Sequence, residues 1–428
     1  LYTEINTDEK YELEVDGEVK KLTSPELSYY FNDHKDRDVR KRAAKAYAEG
    51  IKENSKVYTF TQNTLLWDSQ ISDKMRGYEY PQHSTFLGDE VDKEIVDAMS
   101  SEVEENYSIV EDFYKKKKDL LGLDELYEWD RYSKIYDDVK ADYTWEEAKQ
   151  IILDAFGKFS EDFAAAAEEF FENRWIDAPI KDGKRSGAFC AYGNPKLHPF
   201  VLVNFKGRSS DVMTLAHELG HGIHAYMAKE QPMAEFHSAT PVAEIASVFG
   251  EMLVFDYLYE HIDDKKLKIN LLADKLQQIF ATVFRQNAFY LFEVDINKHR
   301  REKGELRQEE FNQYYQSRLQ KMFGDSLSLT DDHKYFWMAV HHFYTYDFYV
   351  YSYVFGELLT LALYAKYKSD GDKFIKSYID SLKLGGSKTP VKIKKNMGVD
   401  ISDPKFWNQG LDILEDYVGR FKRLADEV

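Results

Sequence analysis

The sequence predicts a mainly α protein, a large multi-helix body with one small β-region, and three observations carry that prediction. Proline and glycine number only 9 and 22 in 428 residues, too few to punctuate many short strands. Apolar residues recur at a period of about 3.6 over long stretches, the spacing that builds one buried face on a helix. Hydrophobic residues make up 43% and aromatics 15% of the chain, enough apolar surface to offset the entropy of ordering it.

Residues 11–23 alternate apolar and polar side chains around Asp16-Gly17, a pair suited to the positive φ angles of a two-residue type I′ turn, so a β-hairpin is expected. From Ser24 the period changes. Ser24-Pro25-Glu26 reads as a helix N-cap with proline at the first helical position, and Val39, Ala43, Ala46 and Tyr47 share one stripe. Further helices are expected at 89–118, 144–172, 263–303, 307–323 and 345–368, the second opened by Thr144-Trp145-Glu146-Glu147, a capping box. Between 182 and 207 the helical pattern stops. Asp182-Gly183, Ser186-Gly187, Gly193-Asn194-Pro195 and Pro199 bracket the short apolar runs 188–191 and 200–203, which read as a small β-region. At about 150 residues per domain the length suggests roughly three domains or one large multi-lobed one.

Composition excludes several classes of function. The net charge of −19, with no long Lys/Arg stripe, opposes nucleic-acid binding, which needs clustered cations to displace phosphate counterions. Lys115 to Lys118 is a short basic run, expected to be a solvated helix face. One cysteine, Cys190, cannot form an intramolecular disulfide and fits a reducing, cytoplasmic setting; it is expected to be an inert buried thiol. No run approaches the roughly 18 apolar residues of a membrane span, so no membrane partner is expected. The first residues, Leu1-Tyr2-Thr3-Glu4, do not read as a signal peptide, and Leu1 is not an initiator Met, so a fragment or processed form is expected.

The most informative motif is His217-Glu218-Leu219-Gly220-His221, which would arise by chance roughly 0.06 times in such a chain. Residues i and i+4 share one face of a helix, so two imidazoles at this spacing reach one zinc ion, and Glu218 is placed to act as general base on water. Gly220 and Gly222 each cost about 1 kcal/mol in a helix, which close approach of another backbone or a substrate would explain. A catalytic zinc needs a third protein ligand. The pattern H-E-x-x-H-x-x-G-x-x-H is excluded, because its Gly and final His positions hold His224 and Met227. Downstream, Glu235, Glu244 and Glu251 remain as candidates. Glu244, Ser247 and Glu251 fall on one helical face, which suits a ligating Glu on a second helix with support from its neighbours. His224 shares the face of His217 and is expected beside the metal or facing substrate.

His217 to His224 followed by Glu244-Ile245-Ala246-Ser247 resembles the thimet-oligopeptidase-like (M3) zinc metallopeptidases, and within them the oligoendopeptidase F group. Asp36-Arg37-Asp38-Val39-Arg40-Lys41-Arg42-Ala43, Lys184-Arg185-Ser186-Gly187-Ala188-Phe189, and Gly385-Gly386-Ser387 before Gly398-Val399-Asp400 agree with it. So do His342-Phe343-Tyr344 and Phe348-Tyr349-Val350-Tyr351, and the resemblance covers nearly the whole chain. It implies one zinc ion held by His217, His221 and Glu244, Glu218 as catalytic base, and a gluzincin-type helical fold with a deep channel that admits only short, unfolded peptides. It also implies that residues 1–30 are a hairpin remnant leading to an N-terminal lobe this chain lacks, and that 31–428 form the catalytic domain. By the same resemblance His342, Tyr349 and Tyr351 are the donors expected to stabilise the oxyanion or orient the substrate, a role that neutral Tyr hydroxyls suit.

The expected activity is therefore zinc-dependent endopeptidase action on short oligopeptides. The alternatives are a dipeptidyl carboxypeptidase or carboxypeptidase of the same family, or a non-catalytic zinc-binding scaffold. A strand edge within 185–191 and 200–205 suits main-chain binding of an extended peptide; its structural alternative is a hairpin that only braces the motif helix.

Overall fold

In the computed structural model, which describes residues 2–428, Asp16 and Gly17 take φ values of 54° and 81° and close the predicted two-residue turn. The turn joins β1 (Tyr11–Val15) to β2 (Glu18–Leu22), antiparallel and with Val15 opposite Glu18. Tyr11, Leu13 and Val15 alternate onto the buried face and pack with Leu22, Leu27, Val39 and Ala43 in a small core of their own. A short helix, Tyr2–Asp8, precedes the hairpin, and its Tyr2 stacks on Tyr344 at 4.0 Å.

The helix after the hairpin, Ser24–Asn32, is capped by Thr23 and not by Ser24. The reason is spacing: the capping box needs an acidic side chain three residues after the cap, and Glu26 Oε2 accepts the Thr23 backbone N–H at 2.8 Å. Three predicted helices are each broken into two. The run 89–118 becomes Lys93–Glu105 and Ser108–Leu120, 144–172 becomes Trp145–Phe159 and Glu161–Glu172, and 263–303 becomes Lys265–Thr282 and Phe284–Lys303. Ser160 makes the second break by capping the following helix, and Asn106 marks the first by bonding back to the Glu102 carbonyl. Val283, at the third, carries no such polar signal.

The helix expected at 345–368 begins instead at Tyr351 and runs to Asp370. Just before it, Phe348 has a φ of 56° and its N–H is held by the buried carboxylate of Glu293 at 2.9 Å, so a distant helix pulls this segment out of helical geometry. Lys117 also departs from expectation. It follows Val110, Phe113 and Tyr114 onto the buried face, where its ammonium donates to the Arg131 carbonyl at 2.7 Å and to Gln277 at 2.6 Å, and burial lowers its pKa to about 7.

The β-region contains β3 (Ile176–Asp177), β4 (Phe189–Ala191) and β5 (Phe200–Leu202). Its order is β3-β5-β4, with β4 an antiparallel edge strand. Most of the buried side chains, from Tyr2 to Phe421, belong to one continuous core that the long helices Ser55–Arg76 and Pro404–Asp426 help to enclose. Within it two helices, Ser209–Met227 and Ile245–His261, cross in backbone contact: a Cβ on Gly220 would lie 2.3 Å from the Ala246 carbonyl oxygen and 2.5 Å from Ser247 Cα. That contact explains why the first helix tolerates a glycine. Among the described residues no helix is long and apolar enough to cross a membrane.

Candidate metal centre and active site

The helix Ser209–Met227 is anchored at its start by Asp211, whose carboxylate accepts the backbone N–H groups of Lys206 and Arg208 at 2.8 and 3.0 Å. Two turns further on, His217 and His221 stand side by side with ring centroids 5.0 Å apart. Glu244 lies immediately before Ile245–His261, and the crossing at Gly220 carries it up to the histidines. Its Oε2 is 3.4 Å from His217 Nε2 and 3.4 Å from His221 Nε2. Ligands about 2.0–2.1 Å from a tetrahedral zinc stand about 3.3–3.4 Å apart, so this donor set fits the ion in chemistry and in spacing. Among the described residues, no other His, Cys, Asp or Glu trio is gathered this way.

The other acidic candidates separate cleanly. Glu251 lies behind His217, its Oε2 3.2 Å from Nδ1, and its Oε1 receives the ammonium of Lys275 at 2.7 Å. Ser247 donates to Glu244 Oε2 at 2.7 Å. Glu235 is exposed in the turn Met233–Glu235 and does not join the group. His224 is buried, and the Ala243 carbonyl lies near enough to both His221 and His224 to work against the lowering of their pKa by burial.

Burial alone would lower the His217 pKa, but Glu244 and Glu251 outweigh it and hold the imidazole up at about 10. Glu244 is driven the other way, to about 2, because His217, His221 and Ser247 overcome the cost of burying its charge. His221 falls to about 4, chiefly through burial. Glu218 is buried, which raises its carboxyl to about 6; Glu244 adds to the rise, while His217 and a backbone N–H from Cys190 oppose it. The edge strand β4 therefore borders the motif helix at Glu218. Cys190 itself is pushed up to about 12 by burial and by Glu218, so its thiol stays protonated.

His342, in the short helix His342–Thr345, has its Nε2 3.1 Å from the Tyr353 hydroxyl and stacks parallel to Tyr349 at 5.9 Å. The charge of Glu244 reaches both Tyr349 and Tyr353, and Gly356, three residues after Tyr353, faces Glu244 closely enough that a Cβ there would lie 3.2 Å from its Cβ. Tyr351 is not part of this group. Its hydroxyl donates to Asp89 at 2.7 Å and its ring is sealed against Phe86, because the helix starting at 351 turns positions 353 and 356 toward Glu244 and 351 away. Tyr353 and Lys275 are the two residues that sequence reasoning missed. The second has a legible signal, a charged side chain at a buried position of the stripe Leu271, Leu272, Leu276 and Ile279. A cavity of about 290 Å³ opens beside His217 and Glu251, lined also by Ser210, Met213, Thr214 and Gln278.

The model of peptidase family M3 matches residues 30–413. Oligopeptidase PepF of Bacillus subtilis (strain 168) is 29% identical over 418 residues, 95% of this chain and 62% of its own length. An oligoendopeptidase F homolog of Borreliella burgdorferi is 28% identical over 416 residues, 95% of this chain and 70% of the relative. A crystal structure from Chlamydophila abortus superposes with a TM-score of 0.91 at 26% identity, over 99% of this chain and 71% of that one. Oligoendopeptidase-F from Enterococcus faecium superposes with a TM-score of 0.80 at 21% identity, over 100% of this chain and 71% of that one, a likeness of fold. The chain thus spans less than two thirds of PepF.

Proposed function

The chain belongs to peptidase family M3, which implies a bound metal, and from that premise we propose that it is a zinc-dependent endopeptidase hydrolysing internal bonds of short oligopeptides. The observation that carries the reading is the 3.4 Å approach of Glu244 to both His217 and His221, with the raised carboxyl of Glu218 one residue along the same helix. His217, His221 and Glu244 would hold one zinc ion per chain. When bound, such an ion supplies Lewis-acid polarisation of the scissile carbonyl and acidifies water.

Glu218 takes the proton of the attacking water and returns it to the leaving amine; a carboxyl near 6 is matched to both transfers at neutral pH. Tyr349 and Tyr353 face Glu244 with hydroxyls whose pKa burial has raised, so they stay protonated and donate to the oxygen on which negative charge develops. His342 holds Tyr353 in place from the other side. The edge strand β4, which borders Glu218, would pair with an extended peptide through main-chain bonds, which favours unfolded substrates over particular sequences. A half-buried cysteine without a disulfide partner suits a reducing, cytoplasmic setting.

Glu218→Gln tests the reading. At equal zinc content, the variant is expected to cleave an internally quenched peptide roughly 10²-fold more slowly or worse. Cleavage at the unmodified rate would refute it. A peptide with an amidated C-terminus is expected to be cut at the same internal bond as the free acid, which a carboxypeptidase would not do.

A further inference from the structure

A second pocket, of about 300 Å³, lies in a part of the fold that the peptidase reading does not use. It is framed by Ser24–Asn32 and Arg37–Glu53 on one side, and by Phe284–Lys303, Gln308–Phe323 and the turn His333–Ala339 on the other. Arg131, Arg285 and His333 supply its basic lining, beside Tyr132. Arg285 Nη1 donates to the Tyr132 hydroxyl at 3.1 Å, and the guanidinium carbon of Arg131 lies 4.6 Å from the centre of the same ring. His333 stacks on Tyr315 at 5.8 Å. Both arginines act electrostatically on Tyr132, Tyr315 and His333, so their charges converge on one space.

Several arginines elsewhere in the fold have carboxylate partners: Arg37 and Arg40 pair with Asp130, Arg301 with Asp73, and Arg318 with Asp295 and Glu104. Arg131 and Arg285 differ. Arg131 Nε, Arg285 Nε and His333 Nδ1 are buried with no hydrogen-bond partner among the described residues. Glu128, a carboxylate whose field reaches Arg131, is bonded instead to the backbone and side chain of Thr330. Two like charges that share one partly buried space, each with a sealed and unbonded Nε, repel, and an anion entering between them relieves that cost. The rest of the lining mixes the apolar side chains of Leu27, Phe31, Phe289, Leu319, Phe336 and Val340 with the polar ones of Ser24, Ser28 and Asn32. Two guanidinium groups suit the paired oxygens of a carboxylate, and the cluster of Leu27, Phe31, Phe289, Leu319, Phe336 and Val340 suits an apolar body attached to it.

We propose that this pocket binds a small monocarboxylate with an apolar body, the chemistry presented by the free C-terminal residue of a peptide. The volume lies at the lower end of small-molecule sites and holds about one such residue. Its wall residues Ala339 and Val340 run directly into His341 and His342, so an occupant touches the segment that carries the His342–Tyr353 pair. The site stands on its own geometry and does not depend on the peptidase reading.

Calorimetric titration of the zinc-loaded protein with N-acetyl-phenylalanine, its amide and inorganic phosphate tests the proposal. Saturable binding of the acid and none of the amide is expected, with affinity falling roughly tenfold or more in Arg285→Met and unchanged in His221→Ala. The proposal is overturned by equal binding of the amide, by tighter binding of phosphate, or by loss of binding in His221→Ala alone, which would place the carboxylate at the metal centre. If Arg285→Met does not fold, unmodified crystals soaked in 4-bromobenzoate decide the matter: an anomalous bromine peak beside Arg131 and Arg285 supports the site, and its absence at saturating ligand overturns it.

Discussion

Lys275 donates to Glu251 at 2.7 Å with its own side chain sealed from solvent and that of Glu251 only 5% exposed. The other oxygen of Glu251 is 3.2 Å from His217 Nδ1, so a buried lysine sets the orientation of a ligand imidazole through one intervening carboxylate. Lys275→Met strands that carboxylate. It is expected to cost about 3–5 kcal/mol of stability and to weaken zinc binding by about 10–100-fold. Denaturant titration and chelator competition check this, and unchanged values in both would contradict it.

Zinc binding at pH 7 is expected to release about one proton per ion, because a ligating imidazole must be neutral and His217 otherwise stays protonated up to about 10. Calorimetry in buffers of different ionisation enthalpy measures the proton directly. The same shift fixes a sign for the metal-free protein. A folded-state pKa above the unfolded value of about 6.5 contributes stability that is fully present below 6.5 and lost as the pH rises toward 10.

The two neighbouring tyrosines should part company under mutation. Tyr353→Phe is expected to lower kcat by about tenfold or more with the fold intact, since it removes the proposed oxyanion donor. Tyr351→Phe should leave kcat unchanged and cost about 1–3 kcal/mol, because Asp89 loses its partner in a half-buried setting. Equal loss of kcat in both would return Tyr351 to the site.

Gly220→Ala drives a methyl group into the backbone of Ala246 and Ser247, neither of which can rotate away. A loss of about 3 kcal/mol is expected, accompanied by weaker zinc binding as Glu244 is displaced. Gly222→Ala meets the ring of Phe170 instead and should cost less. Thermal melts of the two variants side by side test the ranking.

Glu218 works as a base only when ionised. Its carboxyl, raised to about 6 by burial, predicts that kcat/KM falls as the pH drops below about 6; the positive charge of a bound ion moves this limb lower still. An acid limb above pH 7 would assign the titration to another group.

Local spacing determined the parts of this protein that sequence alone made legible. His217 and His221 are one helical turn apart whatever the surroundings, Glu218 follows from the same helix, and Asp16-Gly17 closes its hairpin within four residues of chain. The α class followed from periodicity, which is a property of each segment by itself.

Only the tertiary structure decided which of Glu235, Glu244 and Glu251 meets the histidines, because that depends on where Gly220 lets a second backbone cross. It also decided that Tyr353 and not Tyr351 faces Glu244, since Glu293 shifts the start of that helix from a distance of 55 residues along the chain. Lys275, the break at Val283 and the meeting of Arg131 and Arg285 at Tyr132 belong to the same class. Each is set by contacts between faces far apart in sequence, and no local pattern records which faces will meet.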